Sequence, residues 1–228
     1  MFSDSITVLI NNRNLLSWPK SMVEKIEQYH SLAEIIILDN GSTYPPLIEW
    51  YKKIPHKVIF EKNLGHSGPW NPSINKEIKT DFYVVTDPDL DLEDVPLDCL
   101  IHMKNILAKY PQAGKIGFGL DIKCVPEESP YFQHVNTYEK RFWEMPSIDN
   151  LVRPAPVDTT FAIYNKKIMN SYQICGGRTD YPYVTKHIPW MLVELPEEFV
   201  FYLKNANESS SYKPFLRSLN SELLKGID

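Results

Sequence analysis

The sequence predicts an α/β/α sandwich, a single domain built on a mostly parallel central sheet. Three observations predict it. Four short apolar runs alternate with helix-like segments over the first 90 residues. The connections between them are short, and a βαβαβαβ order of this kind demands right-handed crossovers and a sheet covered by helices. Each run also ends in a polar or glycine-bearing cluster, and in open parallel sheets ligands bind outside the carboxyl ends of the strands.

The first run, Ile6-Thr7-Val8-Leu9-Ile10, is continuous, as expected of a strand buried on both faces, and stops at Asn11-Asn12-Arg13-Asn14. In the helix that follows, Ser17 is positioned to cap, and Trp18, Met22, Ile26 and Tyr29 form one apolar stripe. Ile35-Ile36-Ile37-Leu38 is a second strand ending in Asp39-Asn40-Gly41-Ser42-Thr43; Pro45 and Pro46 then open a helix with Leu47, Ile48, Tyr51 and Ile54 on one side. Lys57-Val58-Ile59-Phe60 reads as a third strand, ending near Asn63-Leu64-Gly65-His66-Ser67-Gly68, and Trp70, Ile74 and Ile78 have the spacing of a third helix. The fourth strand, Phe82-Tyr83-Val84-Val85, runs into Asp87-Pro88-Asp89-Leu90-Asp91.

Beyond it, Pro96 begins a helix with Leu97, Leu100, Met103, Leu107 and Tyr110 facing inward, and residues 115–120 read as one strand. Residues 123–156 carry five prolines and many aromatics, with one amphipathic piece around Tyr138, Phe142 and Trp143; a long irregular stretch inside a compact domain is usually functional or mobile. Residues 157–164 read as a further strand and Gly176-Gly177 as a turn. Pro196-Glu197-Glu198 starts a helix with Phe199, Tyr202, Leu203 and Ala206 on its apolar face, and residues 215–225 are expected to form a last helix. The chain thus divides into halves, 1–122 and 123–228, within one compact domain.

Composition narrows the function. A chain of 228 residues with 43% hydrophobic and 12% aromatic content folds rather than stays disordered. A net charge of −5 without a Lys/Arg run argues against nucleic-acid binding, and it means that a phosphate-bearing ligand needs a metal ion for neutralisation. Cys99, Cys124 and Cys175 lie far apart and suggest neither a disulfide framework nor a metal cluster. With no apolar run of about 20 residues and no leader pattern, a cytoplasmic protein is expected, with peripheral membrane association left open.

Asp87 and Asp89 are two apart at a strand end, so both carboxylates can converge beyond it. Paired carboxylates repel unless a cation sits between them, and hard oxygen ligands suit Mg²⁺ or Mn²⁺. An acidic turn is the alternative for this stretch alone.

The four strand-end clusters together resemble the nucleotide-sugar-binding half of GT-A glycosyltransferases, most closely family 2, whose fold is a Rossmann-type α/β/α sandwich. The resemblance covers about the first 120 residues, with Asp87-Pro88-Asp89 matching the DxD motif, and is looser beyond. It implies Asp89 as direct ligand of Mn²⁺ or Mg²⁺, and Asp87 near the ribose or reaching the metal through water. It also implies Asp39, Asn12 and Arg13 around the base and ribose of a nucleotide, expected to be a uridine one. Asn63, Gly65 and His66, with Gly68 and Asn71 nearby, stand where that family approaches the donor. The family's C-terminal histidine ligand matches His187, for which a phosphate contact or a structural role is the alternative, and Trp190 can stack on an acceptor sugar or pack in the core. The usual Glu-Asp pair is missing from Thr185-Lys186-His187-Ile188-Pro189-Trp190. Asp158, an acid in an otherwise apolar run, is then the candidate base, with Asp180 and Glu197-Glu198 further candidates. The resemblance implies sugar transfer from a nucleotide sugar to a glycan or lipid-linked acceptor. A nucleotidyltransferase and an inactive binding subunit are the other classes the sequence allows.

Overall fold

In the computed structural model, which describes residues 5–158, 160–168, 175–206, 210, 212 and 216–217 and the backbone alone of 30 and 31, the first apolar run becomes β1 (Ile6–Asn12). The next three runs become β2 (Ala33–Asn40), β3 (Lys57–Glu61) and β4 (Phe82–Thr86). Shorter strands follow: β5 (Leu90–Asp91), β6 (Lys115–Gly117), β7 (Gly119–Leu120), β8 (Val152–Arg153), β9 (Ala162–Asn165), β10 (Gly177–Thr179) and β11 (Val184–His187). The helices are α1 (Ser17–Ile26), α2 (Pro45–Tyr51), α3 (Pro72–Asn75), α4 (Cys99–Lys109), α5 (Phe132–His134), α6 (Lys140–Glu144), α7 (Ile188–Met191) and α8 (Glu197–Lys204), with a π turn, Val135–Glu139, joining α5 to α6.

The main sheet has the order β3-β2-β1-β4-β9-β6-β10-β8. The pairs β1–β2, β1–β4, β2–β3 and β6–β10 are parallel, whereas β9 runs against both its neighbours and β8 against β10. The mostly parallel α/β sandwich is thus the observed fold. Alternation along the central strands builds its two layers. Val8, Ile10, Ile35, Ile37 and Val84 pack on one face with Met22, Ile26, Leu47, Leu100 and Met103. Leu9, Ile36, Leu38, Tyr83 and Val85 pack on the other with Ile74, Ile78 and Tyr164.

Several local expectations change in the structure. Trp70, Ile74 and Ile78 do not share one helix. Pro69 and Pro72 break the segment into a 3₁₀ turn, Gly65–Trp70, and the four-residue α3, whose first turn Asn71 caps by accepting from Ser73 N at 3.0 Å. Residues 115–120 split into β6 and β7 at Phe118, whose N–H turns to Phe161 O. A side chain at Gly119 would stand 2.5 Å from Thr179 O, so only glycine lets β7 leave the main sheet there. β7 then joins a small sheet of order β5-β11-β7. The strand expected over 157–164 begins only at Ala162. Gly177 lies in β10 rather than in a turn. Leu97 lies outside α4 and is exposed. The last expected helix, 215–225, falls almost wholly outside the described residues.

Two buried charges tie the halves together. Ser17 does not cap α1; the Glu198 carboxylate from α8 does, accepting from Leu16 N and Ser17 N at 2.9 Å each and from Ser17 Oγ. Around it Trp18 packs on Phe199 and joins Val135 and Leu203 in a third apolar cluster. Lys115, wholly buried at the start of β6, donates to Asp158 O at 3.1 Å and to the Tyr164 hydroxyl at 3.3 Å. Burial pulls its pKa down to about 8, with the Asp158 carboxylate opposing that pull.

Both charges have measurable consequences. Glu198→Ala strands two helix-end N–H groups, and urea denaturation should show a loss of about 1–3 kcal/mol; an unchanged midpoint would show the cap to be dispensable. Between about pH 8 and the about 10.4 of an unfolded lysine, the folded chain binds less of the Lys115 proton than the unfolded chain does, so this residue makes stability rise with pH. Urea midpoints of wild type and Lys115→Met across that window should show the wild type gaining on the variant; parallel pH profiles would refute it.

Candidate active site

Parallel pairing fixes where the strand-end clusters meet. In register, Asn12 of β1 sits beside Asp39 of β2, and Asn40 beside Glu61 of β3. Thr86, the last residue of β4, sits beside Ile10, so the chain delivers Asp87 next to the Asn11–Arg13 turn. Over this edge lies a cavity of about 590 Å³, a size typical of small-molecule sites. Asn12, Arg13, Asn63, Gly65 and His66 line it on one side, with Asp87 and Asp89. Asp158, His187 and Trp190 line it from the second half of the chain. Asp39 is not on the wall, and neither are Gly68, Asn71, Asp180, Glu197 and Glu198.

The asparagines organise the first side. Asn14, at φ 54°, uses its Oδ1 to take the N–H groups of Thr43 and Tyr44 at 2.7 and 3.1 Å, which ties the turn ahead of α2 to the end of β1. Asp39 instead accepts from Ser42 N at 3.1 Å and is nearly buried. Asn40 accepts from Leu64 N and donates to Gly65 O at 2.9 Å, which pins the third loop to the second strand. Asn12 donates to Leu15 O and the Tyr51 hydroxyl, both at 2.8 Å. Even so, Asn11 Oδ1, Asn12 Oδ1, Arg13 Nε, Asn14 Nδ2 and Asp39 Oδ1 are buried without a hydrogen-bond partner. Buried polar atoms are normally paired, so such a concentration at one sheet edge points to a bound polar ligand. Asn71 caps α3 and is not on the wall, and a side chain at Gly68 would meet Leu38 and Leu64 rather than open space.

On the acidic turn, Asp89 is 6% exposed and Asp87 partly exposed. The small sheet brings β11 against β5, with His187 opposite Leu90, and this places His187 Nε2 3.5 Å from Asp89 Oδ2. The Tyr212 hydroxyl donates to the same Oδ2 and stands 3.5 Å from His187 Nε2. Burial pushes the Asp89 carboxyl up, but the His187 imidazole and the two hydrogen bonds outweigh it and hold the group below the usual carboxylate range. Among the described residues, no three of His, Cys, Asp and Glu stand together as a preformed metal site. Asp91 lies off the cavity, 3.9 Å from Lys186 Nζ.

Asp158 differs from its sequence reading. It precedes β9 and is exposed, so it is not an acid buried within an apolar strand; it faces the cavity, with its carbonyl held by Lys115. The other acids are engaged elsewhere: Asp180 pairs with Arg153 at 2.9 Å, and Glu198 caps α1. Trp190 packs on the His187 ring, with centroids 4.6 Å apart. Sequence reasoning missed Asn40, Tyr131, His134, Tyr202 and Tyr212, all on the wall. Asn40 was visible as the last residue of a strand and Tyr202 as a residue of the apolar face of α8; Tyr131, His134 and Tyr212 lie in segments without periodicity and arrive by tertiary folding.

No family model matches the chain, and no curated protein matches its sequence. Solved structures do match. A mannosyltransferase from Pyrobaculum calidifontis, in complex with GDP-Man and Mn²⁺, is similar over 96% of this chain and 69% of its own, with 14% identity and a TM-score of 0.50. Glucosyl-3-phosphoglycerate synthase from Mycobacterium tuberculosis, in complex with phosphoglyceric acid, is a looser match at 14% identity and a TM-score of 0.47; it covers 72% of this chain, which spans 57% of that protein. At this identity the mannosyltransferase match establishes the fold alone, and that fold is the GT-A-like α/β sandwich.

Proposed function

We propose that this chain is a divalent-metal-dependent glycosyltransferase that moves a hexosyl group from a nucleotide sugar to an acceptor hydroxyl. The observation that carries the reading is the convergence, in one cavity, of the Asp89–His187 pair with the unpartnered polar atoms of Asn11, Asn12 and Arg13 at the end of β1. The fold shared with a mannosyltransferase supports it.

The donor set fits Mn²⁺ or Mg²⁺. Two ligand bonds of about 2.1 Å span up to about 4 Å, and Asp89 Oδ2 and His187 Nε2 are 3.5 Å apart. Such ions are commonly held by one or two protein groups, with substrate phosphates and water completing the shell. That accords with a pair of ligands here rather than a closed cage. When bound, the cation supplies charge to the departing diphosphate.

In this reading Asp89 and His187 hold the cation, and Asp87 holds the ribose or a metal-bound water. Asn12 and Arg13 turn their unpartnered atoms to the nucleotide, for which uridine is the expected base. Asp39 supports that wall from below, and Asn63, Gly65 and His66 border the donor's path. Asp158, exposed to the cavity, takes the proton of the acceptor hydroxyl if the transfer inverts the anomeric centre. Trp190 offers a ring face to an acceptor sugar. In this reading the division at about residue 122 leaves the donor contacts to the first half, apart from His187, and the acceptor contacts to the second. A glycan or glycolipid is the acceptor we favour. Among the described residues no helix is long and apolar enough to cross a membrane.

Asp89→Asn keeps the shape of the side chain and removes its charge. It should lower Mn²⁺-dependent release of nucleoside diphosphate from a nucleotide sugar by roughly 100-fold or more while the variant remains folded by circular dichroism. Wild-type turnover in this variant would sink the assignment.

A further inference from the structure

Tyr212 belongs to none of the strand-end clusters, yet its hydroxyl bonds the acidic turn inside the cavity. Its hydroxyl donates to Asp89 Oδ2, the oxygen that also faces His187, and lies 3.5 Å from His187 Nε2. The phenol oxygen therefore borders the gap between the two atoms that the proposed function assigns to the cation. Its ring is held independently of the hydroxyl, edge-on to Phe199 at 5.4 Å and to Tyr202 at 6.1 Å between centroids.

A carboxylate that is 6% exposed needs a donor when no cation neutralises it, and Tyr212 supplies one. A divalent ion satisfies the same oxygen by charge, and a neutral phenol is a poorer ligand for such an ion than a carboxylate or a phosphate oxygen. We propose that Tyr212 is the stand-in partner of Asp89, occupying the carboxylate in the metal-free protein and giving up the hydrogen bond when Asp89 takes a divalent cation. The phenol thus sets the metal affinity of the site from outside the ligand set. This inference rests on the assignment of Asp89 and His187 as ligands.

Tyr212→Phe separates this role from packing, because the ring contacts remain and only the competing donor goes. Mn²⁺ alone, and Mn²⁺ with UDP, are titrated into wild type and variant, following free Mn²⁺ by electron paramagnetic resonance. The variant is expected to bind Mn²⁺ about tenfold more tightly, equivalent to about 1.4 kcal/mol, and Mn²⁺ should raise its Tm by more than it raises that of wild type. Equal or weaker binding by a folded variant overturns the stand-in role and leaves the ligand assignment intact; weaker binding would make Tyr212 a ligand itself. Wild type that binds no Mn²⁺, with or without UDP, removes both.

Discussion

Parallel pairing of β1 with β2 on one side and β4 on the other is the constraint on which the rest of the structure depends. Strands that run the same way must end on the same edge. Asn12 therefore stands beside Asp39 on one side, and Asp87 emerges next to the end of β1 on the other. A buried core on each face holds that register: a slip of one residue would exchange Val8 and Ile10 with Leu9 between the two apolar layers. The site is in this sense a by-product of the sheet. Its polar residues cost hydrogen bonds that the fold does not return, as the unpartnered atoms of Asn11, Asn12, Arg13 and Asp39 show.

The second half of the chain closes the site by a different route. β11 reaches the acidic turn through a two-residue antiparallel pairing with β5, and that short contact sets His187 against Asp89. Glu198 fastens α8 to the start of α1, immediately after the Asn11–Asn14 turn. The buried Glu139–Arg178 ion pair and Lys115 fasten the segments around Asp158. Each link spans a long stretch of sequence through a charge in a dry place, where an unpaired partner is costly. With a net charge of −5, the protein also meets a diphosphate poorly unless a cation mediates.

Most of the sheet was legible because its central strands are continuous apolar runs closed by turn chemistry, and the strand-end position of Asn12, Asp39, Asn63 and Asp87 follows from the same pattern. Periodicity misled where prolines intervene: the spacing of Trp70, Ile74 and Ile78 is helical, but Pro69 and Pro72 prevent one helix and still let Ile74 and Ile78 be buried. Asp158 looked like an acid inside a strand because the apolar residues around it belong partly to β9 and partly to the loop before it. Tyr131, His134 and Tyr212 had no local signal at all, and Tyr202 showed only as one residue of the apolar face of α8. Nothing in the neighbourhood of an isolated tyrosine says that its hydroxyl meets a carboxylate 123 positions away.

Whether the cavity holds a nucleotide sugar through a divalent ion is tested most directly by thermal unfolding against a panel of nucleoside diphosphate sugars, each with and without Mn²⁺. At a hundredfold excess over Kd, one of them is expected to raise Tm by about 5 °C or more, and only when Mn²⁺ is present. A panel in which no nucleotide sugar shifts Tm in the presence of Mn²⁺, or in which the shift is as large without the ion, would contradict the reading.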